Sequence, residues 1–261
     1  LEEAILDRIK KGKKPKAILF VHIYGMPAKV DEIVAIAKKY NIILIEDAAE
    51  ALGASYKGKK CGSFGDFGIL SFNTNKIITT LGGGALICKN KKEKENAIFY
   101  ATQSKDKATY YKHSKIGYNY RLNNLSATLG IQELKKIESE VLKRRDVNNI
   151  YRKYFKNNIK VSVFKSSEEF CYSNHWLTSL LFNEEVSNTK IKTIKSTLAL
   201  HKIETRFLWK PLHTQPLFCN ELFYGKDTSE KLFKRGLSVP SSSHLKSEDL
   251  NIICETINKL L

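Results

Sequence analysis

Two apolar runs separated by one amphipathic stretch restrict this chain more than any other feature. Residues 16–22 (KAILFVH) and 42–45 (IILI) are apolar without alternation, the pattern of strands covered on both faces of a parallel sheet. Between them, apolar residues at 30, 33, 34, 36 and 37 follow helical spacing over 30–40, after a YGMPA turn. The arrangement predicts a strand-helix-strand unit with parallel strands and a right-handed crossover. Open α/β sheets of this kind bind ligands at the carboxyl ends of their strands. The second run ends there in two acids, Glu46 and Asp47.

One strand further on, residues 67–86 read FGILSFNTNKIITTLGGGAL. A strand over 68–72 runs into a polar turn carrying Lys76, followed by a β-branched run and three glycines. A lysine at the mouth of a buried strand is desolvated or held by a partner. Desolvation lowers its pKa and frees the amine for Schiff-base chemistry, whereas the ordinary alternative is a solvated surface lysine. Residues 48–54 are expected to form a short helix, 58–66 a glycine-rich loop, 85–89 a strand and 92–100 a charged helix. The stretch 104–121 is polar and tyrosine-rich. From 123 to 155 the pattern is helical, broken near 137–139, and leads into a second unit. That unit has strands near 174–182 and 203–209 and helices near 188–200, 228–236 and 247–260, an α+β pattern. The expected division is 1–136 and 137–261, and the start, LEEAILDRI, reads as the inside of a helix.

The formal charge of +17 raises the question of nucleic acid, but only 7 of the 44 basic residues are arginine and the lysines are spread through almost every segment. No helix-turn-helix, RNP or finger pattern accompanies them, so a lysine-rich bias accounts for the charge and no dedicated nucleic-acid site is expected. Five scattered cysteines (61, 88, 171, 219, 254) without CxxC or His/Cys ligand spacing read as free thiols, with no structural metal. No apolar run is long enough to span a bilayer and the start is no signal peptide, which makes the cytoplasm the expected location and excludes a membrane partner.

A lysine working with pyridoxal 5′-phosphate needs a carboxylate on the pyridinium nitrogen and polar groups on the phosphate. Asp47, Ser71 and Lys76 supply these in chain order, each near a strand's carboxyl end. Singly, each has an ordinary alternative: a helix N-cap, a buried strand serine, a solvated turn. Together with VHIYGMPA, EDAAEALGASYKGKKCGSFGD, LSFNTNKIITTLGGGAL and GYNYRLNN, they make the chain resemble the DegT/DnrJ/EryC1/StrS family of sugar aminotransferases. The similarity extends to IETRFLWKPLHTQ (203–215) and LSVPSSS (237–243). Within the family, the TT-x-GGG run, ATQ at 101–103 and ETR-x-LWK-x-x-HTQ resemble bacterial enzymes that aminate UDP-4-keto-6-deoxy-GlcNAc on the route to bacillosamine.

The resemblance implies a fold type I α/β architecture: a mainly parallel sheet with flanking helices in the cofactor-binding unit, and a smaller α+β unit after it. It implies an amino acid, with glutamate the expected donor, passing its amino group to a nucleotide-linked 4-keto-6-deoxy sugar. Lys76 would be the Schiff-base and proton-transfer residue, Asp47 the pyridinium partner, Glu50 a contact on the side of the ring's 3-hydroxyl, and Ser71 a phosphate ligand. Asn119 would reach the phosphate across a homodimer interface, and Arg206 and His213 would line the sugar-nucleotide pocket. Lysine at 76 argues against the family's dehydratase variant, which has histidine there. Three departures stand out: Leu81 and Gly82 where a glutamate-containing run is common, Phe207 where proline usually follows the arginine, and an N-terminal portion with a phosphate-capping turn and a ring-stacking aromatic that the family carries before this segment. That last departure motivates the alternative of a non-catalytic fragment or partner subunit.

Overall fold

The computed structural model describes residues 1–166 and 168–261. The chain begins with α1 (Glu2–Lys10), β1 (Ala17–Val21), α2 (Val30–Lys39) and β2 (Ile43–Asp47). In α2 the first turn carries Asp31 and Glu32 and the last Lys38 and Lys39, which complement the helix dipole. Its apolar stripe places Val30 and Ala37 against Ile18, Phe20 and Leu44 of the strands, with Ile5 of α1 on the same side. The two strands pair in parallel from Ala17 beside Ile43 to Val21 beside Asp47.

A short hairpin follows, β3 (Ser55–Tyr56) and β4 (Lys59–Lys60), and then β5 (Phe67–Ser71), parallel to β2, and β6 (Gly84–Cys88), antiparallel to β5. The sheet order is β1-β2-β5-β6. Burial alternates along β1 and β2: Ile18, Phe20 and Leu44 are buried, whereas Leu19 is 59% exposed and Ile43 50%. Within this chain, the described residues cover one face of these strands. Both α1 and α2 pack on one face, and the apolar residues that made the runs continuous lie on the other.

The helices α3 (Lys91–Ala101), α4 (Asn124–Leu134) and α5 (Ile137–Tyr154) precede β7 (Val161–Val163), β8 (Cys171–Tyr172), β9 (Thr178–Phe182), α6 (Asn188–Leu200), β10 (Arg206–Phe207), α7 (Thr228–Arg235), β11 (Gly236–Val239) and α8 (Ser247–Leu260). Asn90, Asn123 and Ser187 start α3, α4 and α6 by accepting a hydrogen bond from a first-turn backbone N–H. An antiparallel sheet, β10-β11-β9-β7, packs Leu180, Phe182 and Leu237 against Ile191 and Leu198 of α6 and Ile257 of α8, all fully buried. β8 leaves this unit and pairs with β3.

Several local expectations change. Residues 48–54 form successive turns rather than a helix: Ala51 N–H donates to Ala48 and Ala54 N–H to Ala51, while Gly53 has φ +83°. The three alanines bury against Cys61, a packing that outweighs their helix propensity. The expected strand at 174–182 begins only at Thr178, because His175 is left-handed at φ +47°. The strand expected at 203–209 shrinks to two residues, the helix break falls at 135–136, and β3, β4, β7, β8 and β11 are additional.

Glu46 is fully buried and accepts four hydrogen bonds: from His22 Nε2 at 2.8 Å and from the backbone N–H groups of Gly62 (2.5 Å), Phe64 (2.6 Å) and Gly65 (3.2 Å). Ala28 N–H donates to His22 Nδ1, so the imidazole proton lies on Nε2 and faces the carboxylate. Burial pushes the Glu46 carboxyl up, but the bonds from His22, Gly62 and Phe64 outweigh it and hold it below the ordinary glutamate range. β5 can approach the loop at Gly62 only because residue 68 is glycine; a Cβ there would lie 1.9 Å from the Gly62 carbonyl oxygen. A group with a depressed folded-state pKa stabilises the fold above its unfolded value and loses that contribution as pH falls through the folded one. Glu46→Gln turns an amide N–H toward these donors and is expected to cost on the order of 3 kcal/mol in urea unfolding at neutral pH. The gap from wild type should narrow on acidification; equal stabilities at neutral pH would contradict the assignment.

Candidate active site

The register that pairs β1, β2 and β5 decides which side chains meet. Asp47 lies beside Val21 on one side and Ile69 on the other. Successive strand residues alternate faces, so Asp47 points away from the side that holds Glu46. Ser71, two residues beyond Ile69, shares the Asp47 face at the end of β5. Both are half-buried. The Asp47 Oδ1 accepts the Ala49 N–H at 3.0 Å, which turns the chain out of β2. After β5, Lys76 N–H donates to the Asn73 carbonyl and Thr80 N–H to that of Phe72, so Lys76 is carried on a tight turn beyond the strand end.

The Glu50 carboxylate is held from two directions. Its Oε2 accepts the Tyr24 N–H at 2.6 Å and its Oε1 the Trp209 Nε1–H at 3.4 Å, while Trp209 N–H donates to Tyr24 Oη at 2.7 Å. Tyr24 is left-handed, at φ +57°. Burial raises the Glu50 carboxyl above the ordinary range, against the pull of the Tyr24 N–H and the Lys76 charge. Burial lowers the Lys76 amine below the ordinary lysine range, while the charges of Glu50 and Asp47 partly restore it. Burial also pushes the Tyr24 phenol up to about 12. Asp47, Glu50 and Lys76 therefore form one electrostatic group.

Beside them opens a cavity of about 600 Å³ whose walls include Lys76, Arg144, Trp176, Arg206, Trp209 and Ser241. Arg206 is exposed on this wall and pairs with Glu204 at 2.7 Å. His213 lies outside the lining: it stacks on Phe223 with centroids 3.7 Å apart and bonds to Glu230 at 3.1 Å. Asn119 is exposed, forms a β-bridge with Thr102 and is not among the residues that line the cavity. Arg144, Trp176, Trp209 and Tyr24 were not anticipated as site residues. The lone tryptophan in the polar run SNHW, just before an apolar strand, was the one signal that could have pointed to Trp176. Elsewhere, His22, Glu46 and Cys61 bring one polar atom each within 4.8 Å of one another. Both imidazole nitrogens and the carboxylate are engaged, and burial pushes the thiol up to about 12, so the cluster reads as a buried hydrogen-bond group.

The family model for the DegT/DnrJ/EryC1/StrS aminotransferase family matches residues 1–258. The chain belongs to this family. It is 44% identical over 261 residues to EpsN of Bacillus subtilis (strain 168), named provisionally as a pyridoxal phosphate-dependent aminotransferase, covering 98% of this chain and 66% of that one. It is 36% identical to the GDP-perosamine synthase of Escherichia coli O157:H7, over 96% of this chain and 67% of the relative. The chain thus spans about two thirds of the length of these relatives. Among solved structures it is similar to PseC of Helicobacter pylori, an aminotransferase involved in the biosynthesis of pseudoaminic acid (TM-score 0.90, 25% identity, 100% of this chain and 70% of that one). It is also similar to a DegT DnrJ EryC1 StrS aminotransferase from Brucella abortus (TM-score 0.88, 27% identity, 99% and 68%). The fold is that of the fold type I aminotransferases, and the family's cofactor is pyridoxal 5′-phosphate.

The donor set fits that cofactor: an amine of lowered basicity on the turn beyond β5, a carboxylate at the end of β2, and a hydroxyl on the same face as that carboxylate. The charge of Glu50 favours the ammonium form of Lys76, so Glu50→Gln should make the amine titrate at lower pH, by up to about one unit. Reactivity of Lys76 toward an amine-directed reagent, followed by mass spectrometry across pH, measures this. An unmoved profile would separate the two groups.

Proposed function

We propose that the protein is a pyridoxal-phosphate-dependent sugar aminotransferase that transfers an amino group from an amino acid, glutamate being the expected donor, to a nucleotide-linked 4-keto-6-deoxy sugar. The observation that carries the reading is the electrostatic group of Asp47, Glu50 and Lys76 at and beyond the strand ends, of which Lys76 lies on the cavity wall. The family match and the sugar-processing relatives support it. When bound, pyridoxal phosphate supplies an electron sink for the carbon that loses or gains the amine. Asp47 is the proposed partner of the pyridinium nitrogen and Ser71 of the phosphate. Asn119, exposed and outside the cavity's lining, is proposed to complete the site of a second copy, which makes the active unit a homodimer.

The Lys76 Nζ is the proposed proton carrier. Its lowered basicity leaves more of it neutral near pH 7 than an ordinary lysine, and a neutral amine both attacks a carbonyl carbon and accepts a proton. Glu50 holds its own carboxyl beside that amine, restrained by Tyr24 and Trp209. Arg206 is the proposed contact for the substrate's anionic part. His213 lies outside that lining, stacked on Phe223 and bonded to Glu230. The narrower assignment of a UDP-linked substrate on the bacillosamine route rests on the resemblance, and the proposed cytoplasmic location on the lack of a spanning apolar run in the sequence; no helix among the described residues is long and apolar enough to cross a membrane.

Titrated with pyridoxal phosphate, the protein should develop the visible absorption band of a lysine-linked cofactor, and Lys76→Ala should lose the band and reduce turnover by at least about 10²-fold. A variant that keeps both would overturn the proposal. Asp47→Asn should retain binding more weakly and lose turnover by a comparable factor, measured with the keto sugar and glutamate.

A further inference from the structure

The segment 173–176 belongs to the C-terminal part of the chain, yet its hydrogen bonds go to the loops that carry the site. Ser173 Oγ donates to the Gly25 carbonyl at 2.8 Å. Asn174 Nδ2 donates to the carbonyls of Glu50 and Leu52, both at 2.9 Å. Trp176 Nε1 donates to the carbonyl of Asn75 at 2.8 Å, one residue before Lys76. The fit at Gly25 is close: a Cβ there would lie 1.7 Å from Asn174 Oδ1. From the other side, Arg144 donates to the Trp176 carbonyl (3.1 Å) and Arg145 to that of Ser173 (2.6 Å). Trp176 is 4% exposed, packed among Ile77, Ile78 and Val141, and the Lys76 Nζ lies 4.2 Å from the centre of its ring.

We propose that Trp176 is the positioning residue for Lys76: its indole face seats the ammonium whenever the amine is not engaged, and its Nε1–H fixes the backbone from which the lysine springs. An ammonium over an indole face is attracted by the ring quadrupole, more strongly where water is excluded. The amine is half-buried, so it needs such a seat, and Asp47 and Glu50 are the charged groups that act on it there. The cavity also presents Glu133, Lys136, Glu140, Arg144, Glu204 and Arg206. The segment 173–176 thereby ties the C-terminal sheet to the placement of one amine. The proposal rests on the reading of Lys76 as the reactive lysine.

Competitive labelling of the cofactor-free protein with an amine-directed reagent, resolved at Lys76 by mass spectrometry, tests the seat without activity. Trp176→Leu removes both face and N–H; Trp176→Phe keeps a weaker face. The midpoint of Lys76 reactivity should move down by roughly half a unit in the leucine variant and by less in the phenylalanine variant. A purely structural role predicts loss of melting temperature with the midpoint unmoved. That outcome, an upward shift, or equal shifts in the two variants, overturns the proposal. If the leucine variant does not fold, the phenylalanine variant, which keeps an aromatic ring in the site, decides against wild type by the same criterion, a lowered or an unmoved midpoint. Because the readout needs no cofactor, failure here is distinct from failure of Lys76→Ala to abolish the visible band.

Discussion

A carboxylate with no access to water organises the region that the site is built on. Glu46 can remain ionised only while His22 and the loop at 62–65 all point donors at it, because an uncompensated buried charge costs several kcal/mol. Those partners come from the end of β1 and from the approach to β5. Satisfying one side chain therefore holds three strand ends in register, and Asp47 follows Glu46 in the same strand. Alternation along the strand then does the rest: one acid turns inward and becomes structural, and the next turns outward and becomes available.

A second constraint acts from outside the parallel sheet. The C-terminal unit has its own core, yet it reaches back through β8, paired to β3, and through 173–176, bonded to Gly25, Glu50, Leu52 and Asn75. Tyr24, Trp209 and Trp176 form an aromatic wall, with centroids 5.5 and 6.3 Å apart in succession. Glu50 is bonded to Tyr24 and Trp209, and Lys76 rests on Trp176. The acid and the amine are desolvated by the same wall, which shifts one up and the other down and leaves both nearer neutrality than in water.

Local pattern made the strand-helix-strand unit, the helices at 188–200, 228–236 and 247–260, and the Lys76 turn legible, because each depends on residues near in sequence. It failed where distant packing decides. Residues 48–54, alanine-rich and helical by propensity, become turns since Ala48, Ala51 and Ala54 must meet Cys61. His175 takes a left-handed conformation that delays the start of the expected strand to Thr178, since the segment must cross to the other unit. Continuous apolar runs do not say which residues meet α1 and α2, and only the packing shows that Ile18, Phe20 and Leu44 do.

What the sequence determined by itself is the chemistry: an acid, a hydroxyl and a lysine at successive strand ends, in motifs that resemble one family, whose model matches 1–258. What only the tertiary structure decided is the environment of that lysine. Its neighbours Glu50, Trp176 and Trp209 come from three segments as much as 159 residues apart, and which groups share a low-dielectric pocket depends on where those segments pack. Arg206 joins the cavity and His213 does not for the same reason, although seven positions separate them in one motif. Residue type sets what a side chain can do; burial and partners set its charge state, and those are properties of the fold.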